Sequence, residues 1–316
     1  MLTYAVKRIG LGVLILTFVM VAMYAAVFLI PGDPATVALG PRATPELKRM
    51  LIERMGLDQP VWRQIIEFFR NALTGNLGYD VWSNRPVSAL IMEALPKTLA
   101  LGIAALATAL IIGVPIGCLS VIRRGTVVDT AIGMLSVGVI AVPSFVVAIY
   151  SLLIFAVTFR WLPAIGAGEA GDIGSQVRAL ILPVMAIALG WIGYIARMVR
   201  ASMMEVMGEP HIRTARSFGL PEWKIVGKYA LRIAIIPTIS LVAVGLGGIL
   251  SSAVFVEAVF ARPGIGKLIT DAVNTRNYPV VMGTVLVMTA IYVTITIAAD
   301  LLIARLDPRV RDVFRG

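Results

Sequence analysis

Few side chains in this sequence stand where they could do chemistry. His211 is the single histidine and Cys118 the single cysteine. No Cys or carboxylate set surrounds His211 at metal-ligand spacing, so it reads as a solvated loop histidine. Cys118 lies in an apolar run without a partner, which leaves no disulfide framework. A phosphate-cradling loop needs Gly, four residues, Gly-Lys and Ser/Thr. Here Gly266-Lys267 is followed by Leu268, and Ala261 occupies the first glycine position. Nothing in the chain is therefore equipped to hydrolyse ATP. Glu257, Asp271 and Asp300 fall at or beyond the ends of apolar runs, where snorkelling and capping are the default roles.

The elements that would position these residues are set by composition. Of 316 residues, 59% are hydrophobic and 15% charged, and mean hydropathy is +0.90. Soluble domains carry about 25% charged residues, so the solvent for this chain is lipid. A helix crosses a hydrocarbon core of about 30 Å with about 20 residues. Six stretches qualify, none with Asp, Glu, Lys or Arg: Ile9–Ile30, Thr98–Ile122, Ala131–Phe159, Ala179–Ile195, Ile233–Val256 and Val280–Ala299. The third is long for one straight span and carries Pro143, which predicts a kink or a shorter true span. The first follows Lys7 and Arg8 like a signal peptide. At 22 residues it exceeds a usual apolar signal core and lacks a small-x-small cleavage site, so it reads as a retained span.

Charge gives the orientation. With both termini in the cytoplasm, the inside segments hold 15 Lys and Arg, against 5 in the two short outside loops. The net charge of +10 is then topological, and nucleic acid drops out as a partner. Between the first two spans, Thr44-Pro45 starts one helix, which Gly56 stops, and Asp58-Gln59-Pro60 starts another. The expectation is an all-α, multi-pass integral membrane protein. It has six transmembrane helices, both termini cytoplasmic, and a helical extracytoplasmic insert after the first span. By number, the divisions are 1–30, insert 31–95, core 96–305 and tail 306–316.

The loop at 197–232 is the most informative segment. It exceeds the 2–8 residues that join packed helices. Glu209-Pro210 opens a short helix, Gly219 stops it, and Pro221 and Glu222 open a second. Trp223, Val226, Ala230 and Ile233 are expected on one face of the second helix. Lys224, Lys228 and Arg232 form a basic stripe facing lipid headgroups. The helix between Pro210 and Gly219, charged by Arg213 and Arg216, suits a groove on a cytoplasmic partner.

His211-Ile212-Arg213-Thr214-Ala215-Arg216-Ser217-Phe218-Gly219, with Leu231-Arg232 and Ile236-Pro237, resembles the coupling segment of type I ABC importer permeases. Arg213-Thr214-Ala215 stands where that broad family has Glu-Ala-Ala, His211 stands for an aromatic, and Gly219 and Pro237 match. The Arg-Thr-Ala-Arg form is similar to the dipeptide/oligopeptide/nickel branch. So are Leu29-Ile30-Pro31-Gly32-Asp33-Pro34, Gly56-Leu57-Asp58-Gln59-Pro60, Gly75-Asn76-Leu77-Gly78, Arg85-Pro86-Val87, Pro263-Gly264-Ile265-Gly266 and Tyr278-Pro279-Val280, in family order along essentially the whole chain.

The resemblance implies that Arg213, Thr214, Ala215, Arg216, Gly219, Pro221 and Pro237 couple the spans to ATPase closure. ATP and Mg would be held by two cytoplasmic ATPase subunits, with no cofactor or metal in this chain. An extracytoplasmic solute-binding protein and a second homologous permease complete the system, which moves peptides, nickel chelates, glutathione or opines by alternating access. The alternative is a proton-coupled secondary carrier acting alone. Against it, the spans lack the ionisable residues such carriers use. Thr289, Tyr292, Thr294 and Thr296 give the last span a polar content. Either these residues face a solute path, with Thr289, Tyr292 and Thr296 as its contacts, or the threonines bond back within their own helix. Gly113, Gly117, Gly245, Gly247 and Gly248 read as close-packing positions, with a hinge role as the alternative.

Overall fold

The computed structural model describes residues 2–29, 44–55 and 59–306. Parts of two expected motifs, Ile30–Pro34 and Gly56–Asp58, and the tail 307–316 lie outside the described residues. Every regular element described is helical. In order they are α1 Leu2–Leu29, α2 Pro45–Met55, α3 Val61–Leu73, α4 Val87–Ile122, α5 Val127–Ala141, α6 Ser144–Thr158, α7 Ile173–Val206, α8 Pro210–Ser217, α9 Glu222–Val259, α10 Ile265–Asn274 and α11 Tyr278–Leu306. Five are long and apolar enough to cross a membrane: α1, α4, α7, α9 and α11. The α5–α6 pair makes a sixth if taken as one broken span.

That break is sharp. Pro143 has no N–H to continue the ladder of α5, and the two helices meet at 95°. The kink expected at Pro143 is thus a near right angle. α4 begins at Val87, ahead of the charge-free run at Thr98, because its first three turns are amphipathic: Val87, Ile91 and Ala94 are buried while Glu93 and Lys97 stay exposed. The two insert helices fall where their proline starts predicted, at Pro45 and just after Pro60.

The chain forms two compact units. The first comprises residues 1–97 and 263–316, so the two ends of the sequence build it together. Val87, Ile91, Ala94, Ile265, Ala272, Val280 and Val281 make its core. Arg8 pairs with Asp300 at 3.0 Å, joining α1 to α11. Asp300, expected to snorkel or cap, is therefore held in an interhelical ion pair. The Asp80 carboxylate accepts from the Trp82 N–H, from Ser83 and from Asn277 at the start of α11. Burial would push Asp80 up, but these donors outweigh it and hold the carboxyl below its ordinary range. A carboxylate depressed by folding stabilises above the ordinary aspartate range and loses that contribution as pH falls through the folded value. Asp80→Asn should therefore lower the melting temperature of the purified protein at pH 7. That deficit should narrow toward about pH 3, below the ordinary aspartate value of about 3.9.

The second unit, residues 98–262, is continuous in sequence. α7 is its axis, and two apolar clusters form around it. One holds Leu101, Ala105, Leu182, Ile187, Ile249 and Phe260. The other holds Ile195, Val199, Met203, Ile212, Ile225 and Val226. Close approach of helices explains several glycines. A Cβ at Gly117 would stand 2.7 Å from the Ala196 carbonyl oxygen and 2.8 Å from Val199 Cβ. Gly113 meets Ile192 and Ile195 in the same seam, and Gly245 and Gly248 face the Trp191 ring. Because the Gly117 obstacle is backbone, Gly117→Val must separate α4 from α7, an overpacking cost of about 1–3 kcal/mol. A detergent-unfolding series should read that loss, while Gly133→Ala, where a Cβ meets nothing within 4 Å, should be near neutral.

Glu257 and Arg262 differ from the sequence expectation. Glu257 was expected to snorkel or cap but is fully buried, and Arg262, placed in an outside loop, is buried too. After α9 the chain turns back through Ala261, whose φ is +45°, and the Arg262 N–H donates to the Glu257 carbonyl at 2.9 Å. Both charged side chains are thereby drawn inside. Burial pulls the Arg262 guanidinium below its ordinary range, and the Glu257 charge pulls it the other way.

Candidate coupling surface

The helix α8 begins and ends where its sequence signals lie. Glu209 is extended, Pro210 fits the first turn, and Gly219 closes it at φ +71°, a conformation that glycine adopts without strain. Pro221 then sits just before α9. Of the eight residues, only Ile212 and Ala215 are buried, seated among Met203, Val206, Ile225 and Val226. Fully burying Ile212 stabilises this seat by roughly 2 kcal/mol. Pro210, His211, Arg213, Thr214, Arg216 and Ser217 form the exposed remainder, followed by an exposed Phe218.

The coupling residues expected from sequence therefore divide. Arg213 and Thr214 lie on the open face, although the Thr214 hydroxyl donates to the Pro210 carbonyl at 3.1 Å. Ala215 faces inward and anchors the helix. Arg216 is exposed but tied to Glu222 across the Gly219 turn, its Nε donating at 2.7 Å. That carboxylate raises the Arg216 guanidinium above its ordinary value. Gly219 and Pro221 shape the turn. Pro237 is not part of this surface, for it lies inside α9, on the order of 20 Å along the rod at 1.5 Å per residue.

The second helix of the loop departs from the expected face. Val226 and Ala230 are buried with Ile225, whereas Trp223 is 70% exposed and Ile233 45% exposed. The cause is a π-helical stretch, Ile225–Ala230, near the start of α9. Its wider turn, bonded i to i+5, shifts the phase of everything before it. Lys228 and Arg232 remain exposed, and Lys224 is half-buried.

One group escaped sequence reasoning. Asp129, in the first turn of α5, is held by Arg200 of α7 through two hydrogen bonds, at 2.7 and 2.9 Å. The Ser120 hydroxyl of α4 and the Gly125 N–H also donate to it. Three helices thus converge on one carboxylate, just before α7 runs on to α8. The only sequence signal was an acidic residue in a helix's first turn, which reads as an ordinary helix-dipole partner. On α11, the hydroxyls of Thr289, Thr294 and Thr296 donate to the carbonyls of Val285, Ala290 and Tyr292, four residues back in each case.

Five or six apolar helices long enough to cross a membrane, with a short seated helix bearing exposed cations between two of them, define an integral membrane protein. Residues 109–312 match the family of binding-protein-dependent transport system inner membrane components, and residues 1–102 match the N-terminal region of the same components. The chain belongs to this family: it is a multi-pass inner-membrane permease subunit of an ABC importer, whose ATPase activity resides in separate subunits.

Among its relatives, the dipeptide transport system permease protein DppB of Alkalihalophilus pseudofirmus is 33% identical, the alignment covering 98% of this chain and 100% of that protein. The protein of the same name from Escherichia coli K12 is 31% identical, covering 98% and 99%. The fold is similar to that in inward-facing structures of the MetNI methionine ABC transporter. The TM-score is 0.55 at 18% identity, over 69% of this chain and 96% of that one. An amino acid ABC transporter solved with histidines gives 0.51 at 19% identity, over 70% and 94%.

Proposed function

We propose that this permease imports short peptides, and that α8 receives the closure of the ATPase subunits. The observation that carries the coupling part is the geometry of α8. A helix rooted by Ile212 and Ala215 presents Arg213 and Arg216 outward, and its root packs directly on α7 and α9. A displacement of the helix therefore moves two long apolar helices. The peptide class rests on the similarity to two dipeptide permeases along nearly the full chain.

In this reading the α5–α6 pair is a sixth span, both termini are cytoplasmic, and the basic-rich loops face inside. ATP and Mg belong to two partner ATPases, and a second homologous permease completes the pore. An extracytoplasmic solute-binding protein delivers the cargo to the insert side. Thr289, Tyr292 and Thr296 belong to the proposed wall of the path, where Tyr292 is the most exposed side chain of the three to offer a hydroxyl not already bonded back to α11.

The test is affinity purification of the tagged chain from its native membrane, followed by reconstitution in liposomes. The expected result is recovery of ATPase, binding-protein and second-permease chains, with dipeptide uptake that requires ATP and binding protein. Uptake by the chain alone, driven by a pH gradient, would replace this reading with a secondary carrier.

A further inference from the structure

The break between α5 and α6 opens onto a cavity of about 270 Å³ within the second unit. Trp191 and Tyr194 of α7 line it, with Ser144 at the start of α6 and Ser252 of α9. On α7 these residues fall between Arg178 and Arg197, inside the charge-free stretch, so the cavity lies at membrane depth. Irregular backbone is tolerated at that depth only where it is buried in protein or lines a cavity. Broken spans that open at such a place are where membrane carriers put their solute contacts.

The lining is specific in kind. The Trp191 ring lies against Gly245 and Gly248 of α9, which fixes its plane, and the Tyr194 ring stands 6.0 Å away at 58°. Three hydroxyls, those of Ser144, Tyr194 and Ser252, border the same space, and among the described residues they form no hydrogen bond. All three residues are partly or well exposed rather than sealed within the protein, so their hydroxyls are open to a solute that enters the cavity. No formal charge lines the cavity. An ion would find no counter-charge here, whereas a zwitterion brings its own.

From this we infer that the cavity at the α5–α6 break is a solute station for short zwitterionic peptides. The peptide ammonium lies over the faces of Trp191 and Tyr194, and its carboxylate and amide oxygens accept from the Ser144, Tyr194 and Ser252 hydroxyls. Variable side chains project into the open part of the cavity, where nothing selects among them. The inference deepens the peptide-import reading and rests on it.

The experiment uses the complete importer in liposomes, with alanyl-alanine as probe. Ser252→Leu fills the cavity from the α9 side. Uptake should fall on the order of tenfold, the equivalent of about 1.4 kcal/mol, while co-purification with the ATPase and second-permease chains stays at the wild-type level. In a Cys118→Ser chain, Ser252→Cys should react with a small methanethiosulfonate reagent, and alanyl-alanine should slow that reaction. Wild-type uptake in Ser252→Leu, or labelling that alanyl-alanine leaves unslowed, overturns the station while the peptide reading stands. A wild-type importer that takes up no alanyl-alanine overturns the peptide reading, and with it the ligand class assigned to the cavity.

Discussion

Arg200→Ala is expected to destabilise the protein by about 2–3 kcal/mol, more than Asp129→Ala at the other end of the same ion pair. Breaking a buried pair by removing one partner costs about 3–5 kcal/mol, because the survivor is left charged and dry. The two survivors differ here. The Asp129 side chain is 8% exposed and that of Arg200 38% exposed. Without Arg200, the carboxylate keeps only Ser120 and the Gly125 N–H. Without Asp129, the guanidinium turns to solvent, and the loss should be nearer 1 kcal/mol, typical of a hydrogen bond. The half-exposed arginine is also why the larger figure sits below the fully buried range. In the double variant the stranded charge is gone, so its stability should return to that of Asp129→Ala. Unfolding of the four purified proteins in graded denaturing detergent measures the cycle. Equal losses for the two single variants would show that the pair is not asymmetrically buried.

The joint variant Arg213→Glu, Arg216→Glu should abolish coupling without abolishing insertion. Both cations stand on the exposed face of α8, so their reversal leaves the Ile212–Ala215 seat untouched. If the ATPase groove receives these cations on acidic groups, the reversal places like charges across the interface at a cost of several kcal/mol, and each 1.4 kcal/mol is about tenfold in affinity. ATPase subunits should therefore co-purify at least about tenfold less well, and uptake should fall with them. Arg216 also binds Glu222, so Glu222→Gln serves as the control, removing that tie while both cations remain. If Glu222→Gln reproduces the loss, the turn geometry matters more than the charge. Unchanged association and uptake in the double reversal would remove α8 from the coupling role.

These two clusters also show what the residues alone disclose. The bounds of α8 were legible because proline and glycine act locally: Pro210 fits a first turn and Gly219 a left-handed stop. The apolar runs were legible because a charge at membrane depth costs several kcal/mol and leaves gaps in composition. The Asp129–Arg200 pair was not, since its members are 71 positions apart and each has an adequate local explanation. The turn that buries Glu257 and Arg262 is likewise a tertiary event. The exposed Trp223 was missed for a different reason. Period counting assumes 3.6 residues per turn, and the stretch Ile225–Ala230 does not keep that period.

The division of the chain into a continuous unit and one assembled from both ends has a consequence for synthesis. Domains fold as units, earlier segments first, as the ribosome delivers them at about 5–20 residues per second. The unit spanning residues 98–262, which carries α8 and the Asp129–Arg200 pair, has all its residues by position 262. The other cannot close until residues 263–316 arrive, because α1 waits for Asp300 and the α4 start waits for Val280 and Val281. The helix α8 and the long helices that seat it are thus complete before their own chain is finished. During that interval α1 has only lipid and the insertion machinery to shield it, so a chain truncated after residue 262 should be degraded from its N-terminal end more readily than the full-length protein.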